Sequence, residues 1–144
     1  MIKSRFLLLA AIASGMAALA HLGCIVFGAS WYRFFGAGED MAQMAEQGLL
    51  YPTLVTTFIA CVLAIWSCYA LSGAGLLGRL PFLRTGLCLI AAIYLVRGLA
   101  VVPMMWLIPD NSLLFWWVSS AICFAIGILY LLGVKQVWSS FGAK

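Results

Sequence analysis

Apolar residues run in four long blocks along the chain, and polar residues collect between them. The blocks span Phe6–Gly28, Tyr51–Leu71, Phe82–Leu107 and Leu113–Val134. Each reaches the roughly 20 residues that a helix needs to cross the hydrocarbon core of a bilayer. Within three of the blocks, small and weakly polar residues recur at helical spacing. The first block carries Ala10, Ser14, Ala17, His21, Cys24 and Gly28, and the second carries Thr53, Thr57, Ala60, Ala64 and Ser67. The fourth carries Trp116, Ser120, Cys123, Gly127 and Tyr130. Lipid tails already satisfy large apolar side chains, so membrane helices meet through small and weakly polar ones. The pattern predicts an all-α integral membrane protein, one domain over residues 1–144, built as a bundle of four transmembrane helices. Short connections make successive helices antiparallel neighbours.

The connector from Ala29 to Leu50 is the one long enough to hold structure of its own. Gly38–Gly48 reads as a short amphipathic helix. Glu39 and Asp40 occupy its first turn, where the helix dipole favours acids, and Gly48 ends it. Met41, Met44 and Ala45 share one face at helical spacing, suited to a membrane surface or to the bundle. A second connector holds Gly73-Ala74-Gly75-Leu76-Leu77-Gly78, which matches G-x-G-x-x-G letter for letter. A dinucleotide site needs a strand before that motif and an acid about 20 residues after it. An apolar helix precedes it here and the next acid is Asp110, so the glycines read as helix punctuation, with Pro81 starting the next helix.

Composition reinforces the membrane reading. Of 144 residues 66% are hydrophobic and 8% charged, against about 25% charged in soluble domains. Charge placement then predicts threading. Lys3, Arg5, Arg79, Arg84, Lys135 and Lys144 fall on one side of alternating spans. Arg33 and the four acids Glu39, Asp40, Glu46 and Asp110 fall on the other. Basic residues mark the cytoplasmic side, so both termini are expected in the cytoplasm, with the chain in a bacterial inner (plasma) membrane. Trp31, Tyr51, Trp106, Trp116 and Trp117 gather near the outer ends of the spans and Trp138 near an inner one, as interfacial aromatic belts do. Lys3, Arg5 and Ala18-Leu19-Ala20 have the look of a secretory signal. The apolar run continuing through Ile25-Val26-Phe27 favours an uncleaved spanning helix.

Candidate chemistry is sparse. Five cysteines all fall inside the blocks and form no C-x-x-C pair, so neither a zinc site nor a thiol-redox motif is indicated. No metal and no cofactor is expected. Arg97 is the one charge left over from the two sides, inside the third block. An arginine at a helix centre costs about 2.5–3.5 kcal/mol on insertion scales, and no acid lies within any block to offset that. Three compensations stand open: snorkelling to outer headgroups, contact with the outer-loop acids Glu39, Asp40 or Glu46 or with carbonyls freed by Pro103, or a water-filled pocket for an anionic or polar ligand. If the third helix ends near Val102, Arg97 sits roughly 8 Å deep; a helix running on to Leu107 places it near the midplane. His21 is expected to hydrogen-bond across helices, with a proton-relay role as the alternative. The candidate ligand site therefore groups His21, Thr57, Tyr94, Arg97 and Ser120 in the outer half of the bundle.

With no catalytic constellation in view, the first functional expectation is a non-enzymatic accessory or partner-binding subunit. Two alternatives stay open. One is a small oligomeric transporter or channel for an anionic or polar solute, with a His21/Arg97 site. The other is a membrane enzyme acting on a lipid or quinone, with His21 as base and Arg97 holding an anionic group. The expected partners are the lipid bilayer and either another membrane protein or further copies of this chain; nucleic acid is not one.

Overall fold

The four apolar blocks become helices because their backbone groups bond internally, and each boundary follows from a local cause. The computed structural model describes residues 3–107, 109 and 111–141. Among these, every regular element is helical. Asp110 and Lys144, which enter the charge bias above, lie outside the described residues.

Helix α1 (Arg5–Phe27) begins at Ser4, whose hydroxyl accepts from the Leu7 N–H, and stops at Gly28 with φ 73°. Two short helices follow, α2 (Ala29–Phe34) and α3 (Glu39–Glu46). Helix α4 (Leu50–Ala74) ends on Gly75 in the left-handed region, φ 85°. The glycine-rich G-x-G-x-x-G segment is thus a helix terminator, and Ser72 secures the turn by donating to the Gly78 carbonyl and accepting from the Leu80 N–H. Helices α5 (Leu83–Leu99), α6 (Val101–Leu107) and α7 (Leu113–Val137) complete the set, with a final 3₁₀ turn over Trp138–Phe141. Three helices, α1, α4 and α7, are long and apolar enough to cross a membrane, and the bent pair α5 and α6 makes a fourth if it counts as one span.

That bend decides between the two ends left open for the third helix, in favour of the earlier stop. The axes of α5 and α6 differ by 70°. Pro103 has no N–H to donate to the Leu99 carbonyl, and its ring collides with that carbonyl in a regular helix. The helix therefore stops at Leu99 and restarts at Val101, where Pro103 falls in the first turn and its missing N–H costs nothing. The Met104 N–H bonds the Ala100 carbonyl and opens the new helix.

Neighbouring helices run antiparallel. Near the start of α1, Leu7 packs against Gly73 of α4 and Gly133 of α7. Further along, Ser67 of α4 donates to the Ala11 carbonyl and Ser14 meets Tyr130 of α7. α5 and α7 approach until their backbones touch: a Cβ on Gly98 would lie 2.7 Å from the Cα and N of Phe124. The interior holds Ala10, Ala11, Ser14, Ala18, Ala60, Ala70 and Ala74, while Met16, Phe58, Ile65, Val96 and Ile122 point outward. Phe58 is 69% exposed. An interior rich in small residues, beneath a surface of large apolar ones, is the arrangement that lipid rather than water rewards.

The long connector holds one more helix than its pattern suggested. α3 forms where expected, and α2 forms ahead of it. Ala42 is the fully buried residue of α3, with Met41 and Ala45 packed around the small cluster it makes with Cys24 and Tyr32. Thr56 fastens this cap to α4 by donating to the Tyr32 hydroxyl, and Asn111 fastens it to the α6–α7 connection through the Gly36 carbonyl.

Candidate functional site

Arg97 sits on the face of α5 that meets α7. Its Nη1 donates to Ser120 Oγ and its Nη2 to Ser119 Oγ, both at 3.1 Å. The guanidinium carbon lies 5.5 Å from the centre of the Trp116 ring. Positions 116, 119 and 120 stand three and four apart, so one face of α7 presents all three. Two neutral hydroxyls use two of the five N–H donors that a guanidinium carries. Among the described residues nothing accepts from the other three, and no carboxylate pairs with the charge. Trp116 is 2% exposed, and its indole N–H has no hydrogen-bond partner among the described residues. Beside this cluster runs an open groove of about 190 Å³, lined by Gly98, Leu99, Val101, Trp117, Ser120, Ala121 and Phe124. Ser120 belongs to both, so groove and cation are contiguous.

The outer-loop acids do not compensate Arg97. Glu39 and Glu46 clamp Arg33 instead. Arg33 Nε and Nη2 grip the two oxygens of Glu39 at 2.8 and 2.7 Å, while Nη1 holds Glu46 at 2.7 Å. Glu39 and Glu46 lie two helical turns apart and so share a face of α3, which lets one arginine from α2 reach both. This bidentate contact holds the Glu39 carboxyl below its ordinary range, and the two acids raise the Arg33 guanidinium further still. Asp40 is exposed on the same short helix.

The remaining candidates are dispersed. Half-buried His21 places Nδ1 2.8 Å from the Ala17 carbonyl of its own helix. A carbonyl only accepts, so Nδ1 carries the proton and, in the neutral ring, Nε2 is left as the acceptor. Among the described residues His21 makes no cross-helix bond, against the expectation. Thr57 is exposed and donates to the Thr53 carbonyl one turn back. Its neighbour Thr56 is the inward threonine. Tyr94 is buried but belongs to a different centre. Its hydroxyl is 3.1 Å from Ser14 Oγ, which is 3.0 Å from the Tyr130 hydroxyl. Tyr130 in turn donates to the Trp66 carbonyl at 3.0 Å. Donor counting fixes the direction of this chain. Tyr130 spends its proton on the carbonyl, so it accepts from Ser14, and Ser14 accepts from Tyr94. One residue from each of α1, α4, α5 and α7 thereby joins at the middle of the bundle.

Of the five candidates, then, Arg97 and Ser120 come together, Tyr94 sits in the central chain, and the bonds of His21 and Thr57 stay within their own helices. Ser119 was not among them, although two consecutive serines behind a tryptophan are the signal that marks it. No protein-family model matches the chain, and neither curated proteins nor solved structures give a match. The functional reading rests on geometry. Among the described residues no group of three or more His, Cys, Asp or Glu side chains is placed to hold a metal. The five cysteines are free thiols.

Proposed function

We propose that this chain is a four-helix integral membrane protein that works by binding rather than by catalysis, as an accessory or partner-binding subunit. In this reading α5 and α6 together form the third span. Both termini face the cytoplasm of a bacterial cell, and the cap of α2 and α3 faces outward.

The observation that supports binding over chemistry is the state of the central polar groups. Ser14 and Tyr130 are both fully buried, and each hydroxyl between Tyr94 and the Trp66 carbonyl is spent on the next. A chain that terminates on a backbone carbonyl passes no proton onward, and it fills the axis along which a single bundle would conduct. No hydroxyl in it stands beside a base, as a nucleophile requires. Arg97, which no carboxylate among the described residues pairs, adds recognition of an anion at the capped end.

Purification from native membranes in mild detergent tests the reading. A partner protein should travel with the chain at fixed stoichiometry. A lone, stable chain with a turnover activity on a lipid or quinone would overturn it.

A further inference from the structure

We propose that Arg97, Ser119, Ser120 and the adjoining groove form a binding site for an anionic phospholipid, with its phosphate on the guanidinium and one acyl chain in the groove. The inference rests on the membrane placement and the anion recognition proposed above, and it names the anion.

Three features of the molecule converge on that occupant. The first is charge. Arg97 keeps a permanent positive charge, three N–H donors unspent among the described residues, and two serine hydroxyls that hold its fork in place. A planar fork of donors matches the oxygens of a phosphate. The neighbouring Trp116 contributes a buried N–H with no acceptor among the described residues, the condition expected where a ligand or water completes a site.

The second is depth. Arg97 lies two residues before the end of α5, roughly 3 Å along the axis at 1.5 Å per residue. Beyond it the chain turns by 70° into α6, an apolar segment whose Trp106 is 84% exposed. Tryptophan on such a segment marks the headgroup level of a bilayer. A lipid phosphate occupies that level.

The third is the groove itself. Its lining is apolar apart from Ser120, and Leu99, Trp117 and Phe124 on it belong to the outward-facing surface. It exists because Gly98 brings the α5 and α7 backbones together while the α5–α6 break turns the chain aside. A soluble anion has no use for an apolar channel leading away from its charge site; a lipid tail does. A dissolved phosphate and a lipid phosphate would meet the same donors, and the groove separates the two.

The test uses the full chain in a non-ionic detergent, with bound lipid counted by native mass spectrometry. Phosphatidylglycerol should bind one per chain, and roughly tenfold or more tighter than zwitterionic phosphatidylcholine. Arg97→Gln should remove that preference, and Arg97→Lys should retain part of it. Ala121→Phe, which fills the groove from an exposed position, should weaken phosphatidylglycerol binding with Arg97 intact. Inorganic phosphate at millimolar concentration should not displace the lipid. Equal binding of phosphatidylglycerol by the parent and Arg97→Gln overturns the proposal. So does displacement by inorganic phosphate combined with indifference to Ala121→Phe, which assigns the site to a soluble anion. Should Arg97→Gln not fold, Ala121→Phe and the phosphate competition decide the matter between them. Failure here leaves the partner-binding reading standing, because co-purification of a partner does not depend on this site.

Discussion

Tyr130→Phe is the perturbation that best probes the centre of the bundle. The change keeps the ring, which stacks on Tyr94 at a centroid distance of 5.7 Å, and deletes only the hydroxyl. Two hydrogen bonds go with it, to Ser14 and to the Trp66 carbonyl. Interhelical bonds in membrane proteins average about 0.6 kcal/mol each and reach about 1.7 kcal/mol, so the loss should be about 1–2 kcal/mol. Tyr94→Phe removes only the first donor of the chain and strands nothing downstream, so its loss should be about 0.5–1 kcal/mol. The direction of the chain thus predicts an order, not merely two losses. Equilibrium unfolding of the purified protein in mixed micelles, followed by helical circular dichroism, measures both. In the double variant the losses should fall short of additivity, since Ser14 links the two tyrosines. Equal losses for the two single variants, or strict additivity, would refute the directed chain.

Other outcomes follow from the same geometry. Gly98→Ala places a Cβ 2.7 Å from the Phe124 backbone; separating α5 from α7 should cost about 1–3 kcal/mol and lower the thermal midpoint. Pro103→Ala restores the N–H that the Leu99 carbonyl lacks; the 70° bend should relax, read as a longer spin-label distance between the middle of α5 and the end of α6. The Arg33 clamp gives the cap a pH dependence. Glu39 is held below its unfolded value, so its contribution is complete above about pH 4.3 and is lost as pH falls through the lower folded value. Hydrogen-exchange protection factors across residues 28–49, taken relative to the intrinsic rate at each pH, should fall on acidification, and Arg33→Gln should flatten that response.

The helices were legible because membrane-length apolar runs admit few alternatives, and the ends of α1 and α4 fall within a few residues of where the glycines put them. The break in the third block was half legible. Pro103 flagged a disturbance, but the four-residue reach of a helical bond carries its effect back to Leu99, ahead of the proline itself. Side-chain phase was harder to read. Thr53, Ala60 and Ser67 lie on either of two stripes along α4, one through Thr57 and Ala64, the other through Thr56 and Leu63. The two differ by one residue, about 100° of rotation, and small-residue content favoured the first. Packing chose the second, because Thr56 reaches Tyr32, a residue of the unforeseen α2. Pairing of the acids failed for the same reason: without α2 in view, Arg33 was a loop charge and Glu39 and Glu46 looked available to Arg97.

The two polar centres differ in a way that explains their positions. The central one is neutral, closed on itself and deep, where an unsatisfied group is most costly. The other is charged and open, and it stands at the end of a helix. In the proposed membrane placement, had α5 continued through Leu107, Arg97 would lie near the middle of that span, at the depth where its charge costs most. Pro103 therefore does more than bend the chain. By ending α5 at Leu99 it sets the depth of an arginine six residues upstream, and by turning α6 aside it opens the groove next to that arginine. Relaxing the bend should close the groove and bury the charge together, so the lipid preference of Pro103→Ala should fall even though no residue of the site has changed.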